Sequence, residues 1–185
     1  DSKLPLMIGG EHLVTLGAVR AVFKKYPDLH IIHFDAHADL RDDYLEAKLS
    51  HATVMRRCFD LVGKNKIFQF GIRSGDRSEF VFAKDNTYMN KFNFDTLIDI
   101  IETLRDKPVY FTIDLDVLDS SAFPGTGTPE AGGVTFIELI NAISAVCDLN
   151  IVGCDINELS PIYDQSGAST ALACKVLREL LLSLN

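Results

Sequence analysis

A chain of 185 residues with 47% hydrophobic side chains can bury one good core, and residues 1–185 are read as a single domain. Its formal net charge of −8 and pI near 5.0 argue against nucleic acid or an anionic membrane as partners, while mildly favouring a small cation. No apolar run reaches transmembrane length, and Cys58, Cys147, Cys154 and Cys174 have no CxxC spacing, so the chain reads as a cytoplasmic protein with reduced thiols.

The first apolar run, near 5–8, leads into Gly9-Gly-Glu-His12 and an amphipathic stretch near 13–25. The second, 30–35, runs into Asp35-Ala-His37-Ala-Asp39, followed by a helical stretch near 52–62. Runs at 66–71 and 87–91 flank a helix near 76–84, and another helix near 94–105 carries Phe94, Leu97, Ile98, Ile101 and Leu104 on one stripe. The run 108–114 ends in Asp114-Leu-Asp116, and helices near 134–147 and 167–183 bracket the last run, 150–156. Continuous apolar strands alternating with helices predict an α/β fold, a mostly parallel, doubly wound sheet covered on both faces. There is no internal repeat and no linker that would split the chain.

Three of these strand ends carry metal-ligand residue types. His12, Asp35, His37, Asp39, Asp114 and Asp116 amount to two imidazoles and four carboxylates, a nitrogen-and-oxygen set suited to two divalent cations such as manganese. Four carboxylates balance the charge of two such ions. A pair roughly 3.5–4 Å apart generates a hydroxide nucleophile near neutral pH. On an extended segment, residues i, i+2 and i+4 share one side, so Asp35, His37 and Asp39 are expected to converge, as are Asp114 and Asp116. Strand carboxyl ends are also where open α/β sheets place their ligands. Taken alone, Asp114-x-Asp116 is equally well explained as an Asx turn. His30 and His33 are assigned structural roles. The Gly- and Pro-rich segment 119–133 lacks the Gly-Lys-Ser/Thr of a phosphate loop and is read as a rigid wall beside the metal site.

With Gly9-Gly-Glu-His12, His33-Phe-Asp-Ala-His-Ala-Asp39, Ser50-His51, Asp114-Leu-Asp-Val-Leu-Asp119, Pro124-Gly-Thr-Gly-Thr-Pro-Glu-x-Gly-Gly133 and Glu158-Leu-Ser-Pro161 in this order, the chain resembles the ureohydrolases, the arginases, agmatinases and relatives that hydrolyse guanidino groups. The resemblance implies a three-layer αβα sandwich with strand order 1-6-5-2-3-4. It implies two Mn²⁺ ions bound by His12, Asp35, His37, Asp39, Asp114 and Asp116. His51 would be the proton shuttle and Glu158 the carboxylate that holds the guanidinium, with Asp39 counted beside them among the catalytic residues. It further implies a homo-oligomer, trimer or hexamer. Chemistry explains the last two roles: an amine leaves once protonated, which a histidine can achieve, and a carboxylate pairs with the planar guanidinium fork.

Leu13, Ser120 and Asn157 depart from the residues usual in the family, but no ligand is lost. Relatives carry an N-terminal segment contributing two strands before the first ligand cluster, so an incomplete or truncated sequence is expected, with Leu4–Ile8 as an exposed edge. The stretch before His51 contains Asp42, Asp43 and Glu46 and no Asn, which resembles the agmatinase branch. Agmatine, giving putrescine and urea, is therefore the expected small cationic substrate, with guanidinobutyrate or arginine as alternatives. A single-zinc deacetylase of similar architecture is disfavoured by the six-ligand set. A non-catalytic paralogue or assembly subunit stays open.

Overall fold

The computed structural model describes residues 3–184. The apolar runs form six strands: β1 (Leu6–Ile8), β2 (His30–Phe34), β3 (Ile67–Ile72), β4 (Tyr88–Lys91), β5 (Pro108–Asp114) and β6 (Asn150–Asn157). They pair in parallel in one sheet of order β1-β6-β5-β2-β3-β4, the order the resemblance implied. Every residue of β2 and β3 is buried, because helices cover both faces; that is why these strands read as unbroken apolar runs. The edge strands β1 and β4 are only partly buried.

Strand alternation divides the core into two layers. Ile31, Ile67, Ile72, Tyr110 and Val152 pack against α1 (Val14–Lys25), α2 (Val54–Val62) and Ala83 of α3 (Arg77–Asn86). Ile32, Phe34, Phe68, Phe70, Val109 and Phe111 pack against α4 (Leu97–Leu104), α5 (Phe136–Val146) and α6 (Ala168–Ser183). Each such side chain, fully buried, contributes about 1.5–3 kcal/mol of transfer free energy. The result is the anticipated αβα sandwich. Capping boxes at Asp76/Glu79 and Thr135/Glu138 start α3 and α5. They satisfy backbone N–H groups that the helix itself leaves unpaired.

Two departures from the sequence expectation bear on the site. The second strand stops at Phe34, one residue short of Asp35. The helix expected near 52–62 begins as a tight turn, His51–Thr53, capped by Ser50. One row of the sheet, moreover, is polar where an apolar core is expected. Gln69 of β3, His33 of β2, Thr112 of β5 and Asp155 of β6 are register neighbours across four strands, and all four are fully buried.

Candidate metal centre and catalytic cleft

The carboxyl ends of β2 and β5 and the turn after β1 meet above that polar row. His12 is fully buried, and its Nδ1 lies 3.3 Å from Asp35 Oδ2, 3.3 Å from Asp39 Oδ2 and 3.2 Å from Asp114 Oδ2. His37 Nδ1 lies 3.0 Å from Asp116 Oδ2 and 3.4 Å from Asp35 Oδ1. All six expected residues are thus gathered, and Asp35 joins the two halves with one oxygen each.

They converge by a route other than the extended segment expected. Asp39 has φ of 54°, the left-handed region that costs a non-glycine residue free energy and clusters at functional sites. Residues 35–39 form a loop beyond the strand, stapled by the Asp35 carboxylate, which accepts the His37 N–H at 2.5 Å. Asp116 likewise sits in a turn, Leu115–Val117, and the Asp114 side chain accepts its N–H at 2.9 Å. The Asx-turn reading of Asp114-x-Asp116 is therefore true, and the turn leaves both carboxylates facing the cluster. The Gly9 position also has a reason. A Cβ there would lie 2.3 Å from Asn157 Oδ1, so the turn carrying His12 can approach β6 only as glycine.

Electrostatics test whether these residues fit cations. Four carboxylates buried together need compensating positive charge, and in the bare protein protons supply it. Burial opposes a charged His12, yet the nearby carboxylates of Asp114, Asp35 and Asp39 hold its pKa well above the ordinary value. Against the same opposition, Asp116 and Asp35 push His37 up to about 12. Burial and the Asp35 charge push Asp39 up to about 7; burial and the charges of Asp116 and Asp35 also raise Asp114. The buried His12 Nδ1 faces three carboxylate oxygens without a well-formed hydrogen bond. A donor set that retains protons only for charge balance, around an orphaned ring nitrogen, fits divalent cations. Among the described residues, two groups meet the spacing for an ion: His12, His33, Asp35 and Asp39, and Asp35, His37 and Asp116.

The cluster opens on a cavity of about 430 Å³ whose lining includes Glu11, Arg41, His51, Asp116, Thr128 and Glu158. Glu158, with φ of 69°, accepts the His12 N–H on Oε1 at 2.7 Å; Oε2 has no hydrogen bond among the described residues. Burial raises the pKa of this carboxyl. His51 is half-exposed, and its Nδ1 lies 3.5 Å from Glu11 Oε1. Asp42, Asp43 and Glu46 do not line the cavity. Asp42 instead pairs with Arg57 at 2.8 Å, which lowers its pKa.

The wall expected from segment 119–133 is present. Asp119 Oδ2 accepts the N–H groups of Gly132 and Gly133. Arg73 donates to the carbonyls of Asp116, Val117, Leu118, Glu130 and Ala131. Glu130 on that wall lies 3.8 Å from His37 Nε2. Sequence reading passed over Glu11, Arg73 and Glu130, and it gave His33 no part in the site. His33 is two residues before Asp35 on the same strand side, a signal that was available.

The Arginase family model matches residues 1–183, and the chain belongs to that family. It is similar to the agmatinase of Bacillus subtilis (strain 168), at 46% identity over 97% of this chain and 63% of that protein. It is also similar to the guanidinobutyrase of Pseudomonas aeruginosa, at 35% identity over 96% of this chain and 60% of that protein. A Clostridium difficile protein solved as a candidate agmatinase superposes with a TM-score of 0.96 and 58% identity, over 99% of this chain and 68% of that one. The chain spans about 63% of the length of the Bacillus agmatinases it matches.

Proposed function

We propose that this chain carries the catalytic unit of a ureohydrolase that holds two Mn²⁺ ions and hydrolyses agmatine to putrescine and urea. The observation that carries the reading is a buried two-histidine, four-aspartate cluster, shared through Asp35, at the floor of a cavity lined by Glu158 and His51. His12, Asp35, Asp39 and Asp114 would hold one ion, and Asp35, His37 and Asp116 the other. When bound, two such ions supply a hydroxide nucleophile near neutral pH.

The chain's own residues do the rest. Glu158, anchored through Oε1 on the His12 N–H, offers Oε2 to the guanidinium and fixes the reacting carbon over the cluster. Burial of Glu158 strengthens that pairing by removing competing water. His51, with Nδ1 turned toward Glu11, has Nε2 free to hand a proton to the departing amine, which makes it a leaving group. Glu11 also adds an acidic group to the cavity lining, which favours a cationic substrate. Arg41 is the one feature that favours guanidinobutyrate, whose tail is a carboxylate. Its guanidinium already lies 3.3 Å from Glu79, which lessens its pull on a second acid.

Three further expectations belong to the same proposal: a single catalytic domain, a cytoplasmic setting and assembly as a trimer or hexamer. Burial pushes the Cys58 thiol up to about 12, which keeps it protonated and unreactive. No helix among the described residues is long and apolar enough to cross a membrane. Turnover of agmatine, arginine and guanidinobutyrate by the Mn²⁺-loaded protein tests the substrate. Agmatine is expected fastest, and arginine turning over fastest would overturn the assignment. A monomer in sedimentation would remove the oligomer.

A further inference from the structure

His33 lies within ligand distance of the His12 half of the cluster, so its protonation pattern decides whether it binds a cation or serves another residue. The hydrogen bonds fix that pattern. Gln69 Nε2 is 2.7 Å from the Ala38 carbonyl, which can only accept. That contact identifies the nitrogen end of the Gln69 amide. The Thr87 hydroxyl, 3.2 Å from Gln69 Oε1, supplies a donor to the other end. The same Gln69 Nε2 is 3.1 Å from His33 Nδ1, so Nδ1 must accept. The ring's one proton then resides on Nε2, which donates to Asp35 Oδ2 at 2.7 Å.

We propose that Gln69 and His33 form a positioning relay for Asp35, in which the Gln69 amide locks His33 as the Nε2–H tautomer and His33 holds the carboxylate shared by the two halves of the cluster. His33 is thereby a hydrogen-bond donor to a ligand and is withheld from being a ligand itself. All three side chains are fully buried, so water does not compete for these bonds. Asp35 faces His12 through Oδ2 and His37 through Oδ1. A rotated Asp35 would therefore disturb both ion positions, which gives one distant glutamine leverage over the whole centre.

The inference rests on the proposed cation site, but its test does not need turnover. In metal-free protein carrying ¹⁵N-labelled histidine at about pH 8, where an ordinary imidazole is neutral, His33 should show a protonated Nε2 and an unprotonated Nδ1. A protonated Nδ1 in the wild-type spectrum would overturn the relay, even if every variant failed to fold. Gln69→Leu should free Nδ1 and mix the tautomers. Mn²⁺ affinity, measured by chelator competition, should fall roughly 10–100-fold. Gln69→Glu should reverse the bond and place a proton on Nδ1. Thr87→Val, which removes only the far donor, should produce a smaller change in the same direction. Unchanged tautomer and unchanged Mn²⁺ affinity in folded Gln69→Leu would sink the proposal. Agmatine left unhydrolysed by a protein that binds Mn²⁺ and shows the expected tautomer would instead remove the hydrolase reading and leave the relay standing.

Discussion

The His12 and His37 halves of the cluster use the same kinds of side chain and share Asp35, yet they are built to different depths. His12 has no exposure, whereas His37 is 22% exposed. The nitrogen of His12 away from the cluster, Nε2, is bonded to Thr112 at 2.9 Å, and Thr112 in turn donates to Asp155 at 2.5 Å. Among the described residues, the corresponding nitrogen of His37 faces only Glu130, at 3.8 Å across the cavity. A ligand whose far side is pinned in the core loses little orientation entropy on binding a cation, while one steadied only by a surface carboxylate loses more. The deeper half should therefore bind more tightly and exchange more slowly.

The strongest test of that contrast removes what the halves have in common. Asp35→Ala should empty both positions and abolish hydrolysis, as read by metal content per chain and urea release. Retention of one full equivalent of Mn²⁺ would show that the two halves are independent. Asp116→Ala should strip the shallower position, abolish hydrolysis and leave the His12 half loaded, so metal content should drop below two per chain without reaching zero. Loss of the deeper ion first would invert the order of affinity proposed here.

His51 belongs to neither half, and His51→Asn separates proton transfer from metal retention. Both ions should remain and substrate should still bind, while kcat falls by roughly 10²–10⁴. Loss of metal, or an unchanged kcat, would remove it as the shuttle. The smallest effect is expected at the opposite end of the sheet, where an exposed acid is paired rather than crowded. Asp28 sits between Lys66 at 3.1 Å and Lys107 at 3.0 Å, and hydrogen bonding to those lysines lowers its pKa to about 2. A depressed carboxyl pKa stabilises the fold above the unfolded value and loses that contribution as pH falls from about 4 to about 2. Because the pair is largely exposed, Asp28→Asn should cost well under about 1 kcal/mol at pH 7. The cost should shrink with salt and vanish near pH 2 in urea melts. An effect independent of pH would mean that Asp28 contributes something other than charge.

Much of this was legible in the chain itself. The strands could be read from apolar runs such as Ile31–Phe34 because both sheet faces are covered, and the six cluster residues because each group follows a strand end. The strand order came from the family resemblance. The path of residues 35–39 was not legible: left-handed backbone at Asp39 has no marker when the residue is not glycine. Nor was the polar row. Gln69, His33, Thr112 and Asp155 lie on four strands far apart in sequence, and each alone looks like a stray polar residue in a strand. Only the register puts them side by side. Nor does sequence say where the acids of residues 42–46 stand: Asp42, Asp43 and Glu46 lie outside the cavity lining, and Asp42 pairs with Arg57.

Arg73 carries a consequence for how the protein meets its substrate. By binding the carbonyls of segment 116–118 and of Glu130 and Ala131, it fixes one side of the cavity when the chain folds. A Cβ at Gly133 would lie 2.7 Å from the Arg73 Nη2, so the loop closes onto the guanidinium with no room to spare. A wall assembled in advance leaves no disorder for an arriving molecule to freeze, so association should be limited by encounter and orientation rather than by loop closure. The protein thus uses one guanidinium of its own, bound permanently, to shape the cavity where the guanidinium of the proposed substrate would be held briefly.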